Sequence, residues 1–200
     1  MTTSCKIRIS GLSKRFSDNV VLNDINLDLE PGERVAIIGP SGTGKSTLLR
    51  CLNFLDRPDA GLLTIGDLSV DATRASRAQI LALRRRTGFV FQNYALFANK
   101  TARQNITEGL ITVRRLPRRQ AEARADEVLS RIGLSEKADS YPSALSGGQQ
   151  QRVGVQLVCQ KRRRVILVDH RLDPAACAVS GAGIIPSERA NVIAASKQGV

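Results

Sequence analysis

The chain has 200 residues, 42% of them hydrophobic and 24% charged, which suits one soluble domain large enough to bury a core. Its four cysteines are scattered and it has one histidine, so neither a disulfide framework nor a zinc site is expected, and no apolar run is long enough to span a membrane. A net charge of +12 admits nucleic acid or an anionic membrane surface as partners, but with 4% aromatic residues single-strand stacking is not supported.

The first residues, Met1 to Lys6, lack the apolar centre of a signal peptide, so the cytoplasm is expected. Lys6 to Ser10 alternates as a strand, and so do Ile25, Leu27 and Leu29 before a turn at Glu30-Pro31-Gly32-Glu33. Arg34-Val35-Ala36-Ile37-Ile38 then reads as a buried strand, and Ser46 to Leu55 as an amphipathic helix.

Between those two elements stands Gly39-Pro40-Ser41-Gly42-Thr43-Gly44-Lys45-Ser46-Thr47, a complete P-loop. Its glycines let the backbone turn tightly, so that successive N–H groups wrap the phosphates of a nucleoside triphosphate. Lys45 brings a charge to the outer phosphates, Ser46 offers a hydroxyl to Mg²⁺, and the helix aims the positive end of its dipole at the same anion.

Leu62 to Ile65 and Leu68 to Val70 flank a Gly66-Asp67 turn as a hairpin, which with the front strands makes an antiparallel flap. Arg77 to Arg86 is helical, Thr87 to Phe91 is a buried strand, and helices follow over Thr101 to Leu110 and Arg118 to Ile132. Thr101-Ala102-Arg103-Gln104 and Ser146-Gly147-Gly148-Gln149 have the form of capping boxes. The serine cap and two glycines at the second helix start leave N–H groups facing outward, a second anion site. Clusters at Arg84 to Arg86, Arg114-Arg115, Arg118-Arg119 and Lys161 to Arg164 read as a solvated face drawn to the inner leaflet or to a membrane partner, rather than as a nucleic-acid surface.

With Leu145-Ser146-Gly147-Gly148-Gln149 behind a P-loop, the chain resembles the ATP-binding cassette family over about residues 6 to 155. The resemblance implies an α/β fold: a P-loop core with a mainly parallel sheet and β flap over 1–98, a helical subdomain over 99–145, a signature helix and acid-tipped strand over 146–169, and a divergent, incomplete tail over 170–200. It implies that ATP is bound by Gly39 to Thr47 and sandwiched against Ser146, Gly147, Gly148 and Gln149 of a second copy in a head-to-tail homodimer. Phe16 stands where an aromatic ring stacks on adenine, and Gln92 where a glutamine touches Mg²⁺ and senses the transmembrane partner.

Leu48 to Asn53, Tyr94-Ala95-Leu96-Phe97 and Tyr141-Pro142 with Gln149-Gln150-Gln151-Arg152 resemble importers of polar amino acids, those of cystine type among them. The implied protein is a transport-coupled ATPase, peripheral on the cytoplasmic face of the inner membrane, partnered by permease subunits and indirectly by a substrate-binding protein.

Beyond residue 155 the chain departs from the family. Val165 to Asp169 is an apolar strand whose terminal Asp169 would support the metal, but His170 occupies the position of the glutamate that polarises the attacking water. His170-Arg171-Leu172-Asp173-Pro174 reads as if three residues were dropped, and the switch histidine expected later is not found. Losing a positioned base costs about 10²- to 10⁴-fold in rate, whereas phosphate binding draws on the P-loop and metal. The alternative reading is therefore a subunit that binds ATP without hydrolysing it, or a decayed one, with His170 as a weak substitute base. Ala175 to Val200 is weakly patterned, and a parallel sheet lacking its last strands is expected to expose an apolar face.

Overall fold

The computed structural model describes residues 6–91, 94–159, 165–169 and 191–197, which fall into two compact units. The first gathers the described residues up to Phe89 together with the late strands, and the second those from Val90 to Cys159.

In the first unit, β1 (Ile7–Phe16), β2 (Asn19–Leu29), β4 (Ala60–Ile65) and β5 (Leu68–Asp71) form an antiparallel sheet in the order β2-β1-β4-β5. Alternation decides its faces: Ile7 and Ile9 are buried opposite Leu29 and Leu27, while Arg8 turns outward and grips Asp28 with bonds of 3.0 and 3.1 Å. The β1–β4 ladder shifts between Ser10 and Ser13, and Gly61 of β4 lies against Leu12 within that shift. Its φ is +113°, and a β-carbon there would stand 2.6 Å from Leu12 Cα.

A second sheet has the order β3-β8-β7-β6, from β3 (Arg34–Gly39), β8 (Asn191–Lys197), β7 (Val165–Asp169) and β6 (Thr87–Val90). β8 lies parallel to both β3 and β7, so the tail expected to lack pattern supplies a central strand. Among the described residues β3 is an edge strand, and its Ile38 is 59% exposed.

Helix α1 (Lys45–Leu52) packs Leu48, Leu49, Cys51 and Leu52 into a core shared with Ile7, Ile9, Leu63, Ile65, Leu83 and Leu167. Each such side chain contributes roughly 1.5–3 kcal/mol of burial. The helix stops three residues before the expected Leu55. Phe54 adopts φ +52°, and the Leu55 N–H donates back to Arg50 O at 2.9 Å, closing a left-handed C-cap.

Helix α2 (Arg77–Arg86) is started by a capping box between Ser76 and Gln79. Its terminal arginines are not a purely solvated face. Arg84 donates to Asn53 O and Phe54 O at 3.2 and 2.7 Å, satisfying carbonyls at the end of α1, and Arg86 donates to Ile65 O and to Asp67.

The second unit packs α3 (Ala102–Glu108), α4 (Arg118–Arg131) and α5 (Gly147–Cys159) around Ile106, Leu129, Ile132, Leu134, Leu145 and Val153. The Thr101–Gln104 capping box forms as expected, but the helix then widens into a π turn over Gly109–Val113. Buried Asn105 knots the preceding loop, accepting from Phe97 N at 2.8 Å and donating to Lys100 O and Thr101 O at 3.0 Å.

Candidate functional site

β3 delivers the chain to Gly39, and α1 begins six residues later at Lys45. Gly42 and Gly44 both take φ +86°, the left-handed region that folds the loop back on itself. Gly44 is also pressed against β2, where a β-carbon would lie 2.9 Å from Val21 Cγ1 and from Val21 O. Nothing lies within 4 Å of the corresponding position at Gly42, so that side of the loop is open.

Lys45 is 8% exposed and folds over this loop. Its ammonium donates to Gly39 O at 2.6 Å, to Thr43 Oγ1 at 3.1 Å and to Pro40 O, while Thr43 Oγ1 donates to Pro40 O at 2.9 Å. All of these acceptors are neutral. Neutral dipoles solvate the ammonium without compensating its charge, which an anion would do. The first turn of α1 adds N–H groups without intrahelical acceptors. A polyphosphate therefore fits the residues present, with half-buried Ser46 in the same turn.

Other candidates gather around this loop. Phe16 ends β1 with its ring 46% exposed, and the hairpin it enters returns through Val21 to Gly44. Asp169 ends β7, paired with Ala195, which is paired in turn with Ile37; Lys197 is paired with Gly39. β3 and β8 thus run in register to the loop and β7 to two residues short of it, at the end of a parallel sheet where open α/β folds bind their ligands. Gln92 and His170 lie outside the described residues.

The second motif belongs to the other unit. Ser146 Oγ accepts from Gln149 N at 3.3 Å, and Gln149 Oε1 accepts from Ser146 N at 2.8 Å, so the capping box is present. A β-carbon at Gly147 or Gly148 would meet nothing within 4 Å, leaving the helix start bare. Gln150 and Arg152 at the end of the signature run, and Gly154 beyond it, support this helix start. Gln150 Nε2 donates to Pro142 O and Leu145 O at 3.0 Å, and Arg152 Nη1 donates to Ile132 O at 2.6 Å. Gly154 lets α5 close on Tyr94, where a β-carbon would stand 3.0 Å from Tyr94 Cβ and O. A glycine in mid-helix is the sequence signal that could have exposed this contact.

The sequence profile of the family described as ABC transporter matches residues 22–172. The chain belongs to the ABC transporter family. It is 51% identical over 171 residues to a probable amino-acid import ATP-binding protein, YxeO, of Bacillus subtilis, covering 84% of this chain and 69% of that protein. It is 48% identical over 174 residues to the L-cystine transport system ATP-binding protein TcyN of Escherichia coli, covering 84% and 70%. Among solved structures, the dimeric ATP-binding cassette MJ0796, bound to ADP and phosphate after hydrolysis, superposes with a TM-score of 0.79 at 27% identity, covering 96% of this chain and 88% of that one. No helix among the described residues is long and apolar enough to cross a membrane.

Proposed function

We propose that the chain is the ATP-binding subunit of an amino-acid importer, polar amino acids such as cystine being the solute class. The observation that carries the nucleotide part is the buried Lys45 ammonium, held by neutral oxygens at the mouth of a glycine-turned loop. The solute class rests on likeness to import proteins of that kind.

In this reading Gly39 to Thr47 cradle the phosphates of ATP and Phe16 stacks on the base. Mg²⁺, which prefers hard oxygen ligands and keeps several waters, is held by the hydroxyl of Ser46 and supported by Asp169 and Gln92. The metal neutralises charge on the outer phosphates, and Lys45 orients them. Ser146, Gly147, Gly148 and Gln149 close the site of a second copy, which makes the working form a homodimer on permease subunits at the cytoplasmic face of the membrane.

A second reading, ATP binding with little turnover, is favoured by one observation. His170 follows Asp169 where the family resemblance places a glutamate base. Steady-state phosphate release from the permease-bound dimer separates the two readings, with Lys45→Ala as the control. Release abolished by that change establishes an ATPase. Release at background, alongside saturable ATP binding, establishes the binding-only subunit.

A further inference from the structure

Phe16 carries a cation on its ring. The Lys14 ammonium stands 5.1 Å from the ring centroid, a cation–π distance, although its side chain is only 14% exposed. A lysine confined in this way loses rotamer freedom, and something must hold it. Asp59 does so, accepting from Lys14 Nζ at 3.0 Å.

Asp59 is itself fixed by main chain on both sides. Its second carboxylate oxygen accepts from the Arg15 N–H at 2.6 Å, and its own N–H donates to Ser13 O at 2.9 Å. The Arg15 N–H, followed by Lys14, holds the Asp59 carboxyl below the usual carboxylate range. The carboxylate that anchors the clamp is therefore ionised at neutral pH. β1 between Ser13 and Phe16, the segment after α1, and the ammonium between them form one braced unit.

From this arrangement we infer that Lys14 and Asp59 are positioning residues for the nucleobase: the Lys14 ammonium closes one face of Phe16, and the base of the bound nucleotide stacks on the other. The inference rests on the reading of Phe16 as the base platform. A half-exposed ring at the end of a strand would otherwise rotate between wells, and its two faces would be equivalent. With the clamp the ring presents a single face in a fixed plane, so less ordering entropy is lost when the base arrives. Stacking of this kind does not read base edges, so the clamp raises affinity for any purine nucleotide without selecting among them.

The test compares ATP with inorganic tripolyphosphate, which has the anion but no base, each with Mg²⁺, on the full chain. Lys14→Met keeps the aliphatic stem and removes the charge. We expect it to weaken ATP by about two- to fivefold, the size of an exposed cation–π contact, and to leave tripolyphosphate unchanged. Asp59→Asn should reproduce that pattern, Lys14→Arg should restore ATP affinity, and Lys14→Met added to Phe16→Ala should cost nothing further. Equal loss for ATP and tripolyphosphate, or no loss for either, overturns the clamp. If Phe16→Ala itself leaves ATP affinity intact, it is the platform reading that fails. If ATP and tripolyphosphate bind the unmodified chain equally well, the base contributes nothing and both fall.

Discussion

Gly44 and Val21 touch so closely that no β-carbon fits between them, 2.9 Å being the distance it would have to the Val21 carbonyl oxygen and Cγ1. This contact ties the β1–β2 hairpin, which carries Phe16, to the loop that carries Lys45. One glycine thus serves two purposes, the φ of +86° that turns the loop and the absence of a side chain that lets β2 approach.

Gly44→Ala should therefore damage both binding and stability. The left-handed conformation alone costs a non-glycine residue about 1–2 kcal/mol, and the contact with backbone cannot relax by a rotamer change. Nucleotide titration and thermal melting should show ATP affinity lowered by more than about tenfold and the melting temperature reduced. Gly42→Ala, with the same φ but open space beside it, should cost less.

In the second unit the prediction concerns Gly154 and Tyr94. A methyl group on residue 154 would have to push α5 away from Tyr94, whose carbonyl oxygen and Cβ stand 3.0 Å from it. Overpacking of this kind typically costs about 1–3 kcal/mol. Gly154→Ala should lower stability by about that amount in denaturant titration, even though alanine is the better helix former by about 1 kcal/mol. A stability gain would mean that the Tyr94 turn yields easily.

Burial pushes the Cys51 thiol up to about 12, chiefly by desolvation. The group is raised from an ordinary value of 9.0, so the stability it contributes is present below that pH and fades as pH rises towards 12. Cys51 should resist alkylation at pH 8 in the native protein and react on unfolding, as followed by peptide mass mapping. Cys51→Ser should destabilise the protein, since it places a hydroxyl in the apolar core that Cys51 shares with the residues of α1 and the sheets.

The parts of the fold that were legible in the sequence depend on neighbours a few residues apart. The capping boxes at Thr101 and Ser146 need only residues i and i+3, and the P-loop only a contiguous run. The box at Ser76 and Gln79 is equally local, residues i and i+3 again. What could not be read is non-local. Arg84 appears as one of three identical charges until it is seen on the carbonyls of Asn53 and Phe54, some thirty residues back in the chain. Gly61 gives no hint that Leu12 fills the space where its side chain would be. β8 pairs in register with β3 from the far end of the chain, a choice made by two parallel neighbours and not by its own pattern.

The central claim is that the Lys45 ammonium waits for a polyphosphate, and an ATP binding isotherm with Mg²⁺ on the unmodified chain and on Lys45→Met tests it most directly. Removing a buried cation held by the neutral oxygens of Gly39, Pro40 and Thr43 relieves a desolvation cost, so the melting temperature of Lys45→Met should be unchanged or raised. Its ATP affinity should fall by more than about tenfold, because a charge-assisted contact is lost. Equal ATP affinity in the two proteins would contradict the account, as would a failure of the unmodified chain to bind ATP.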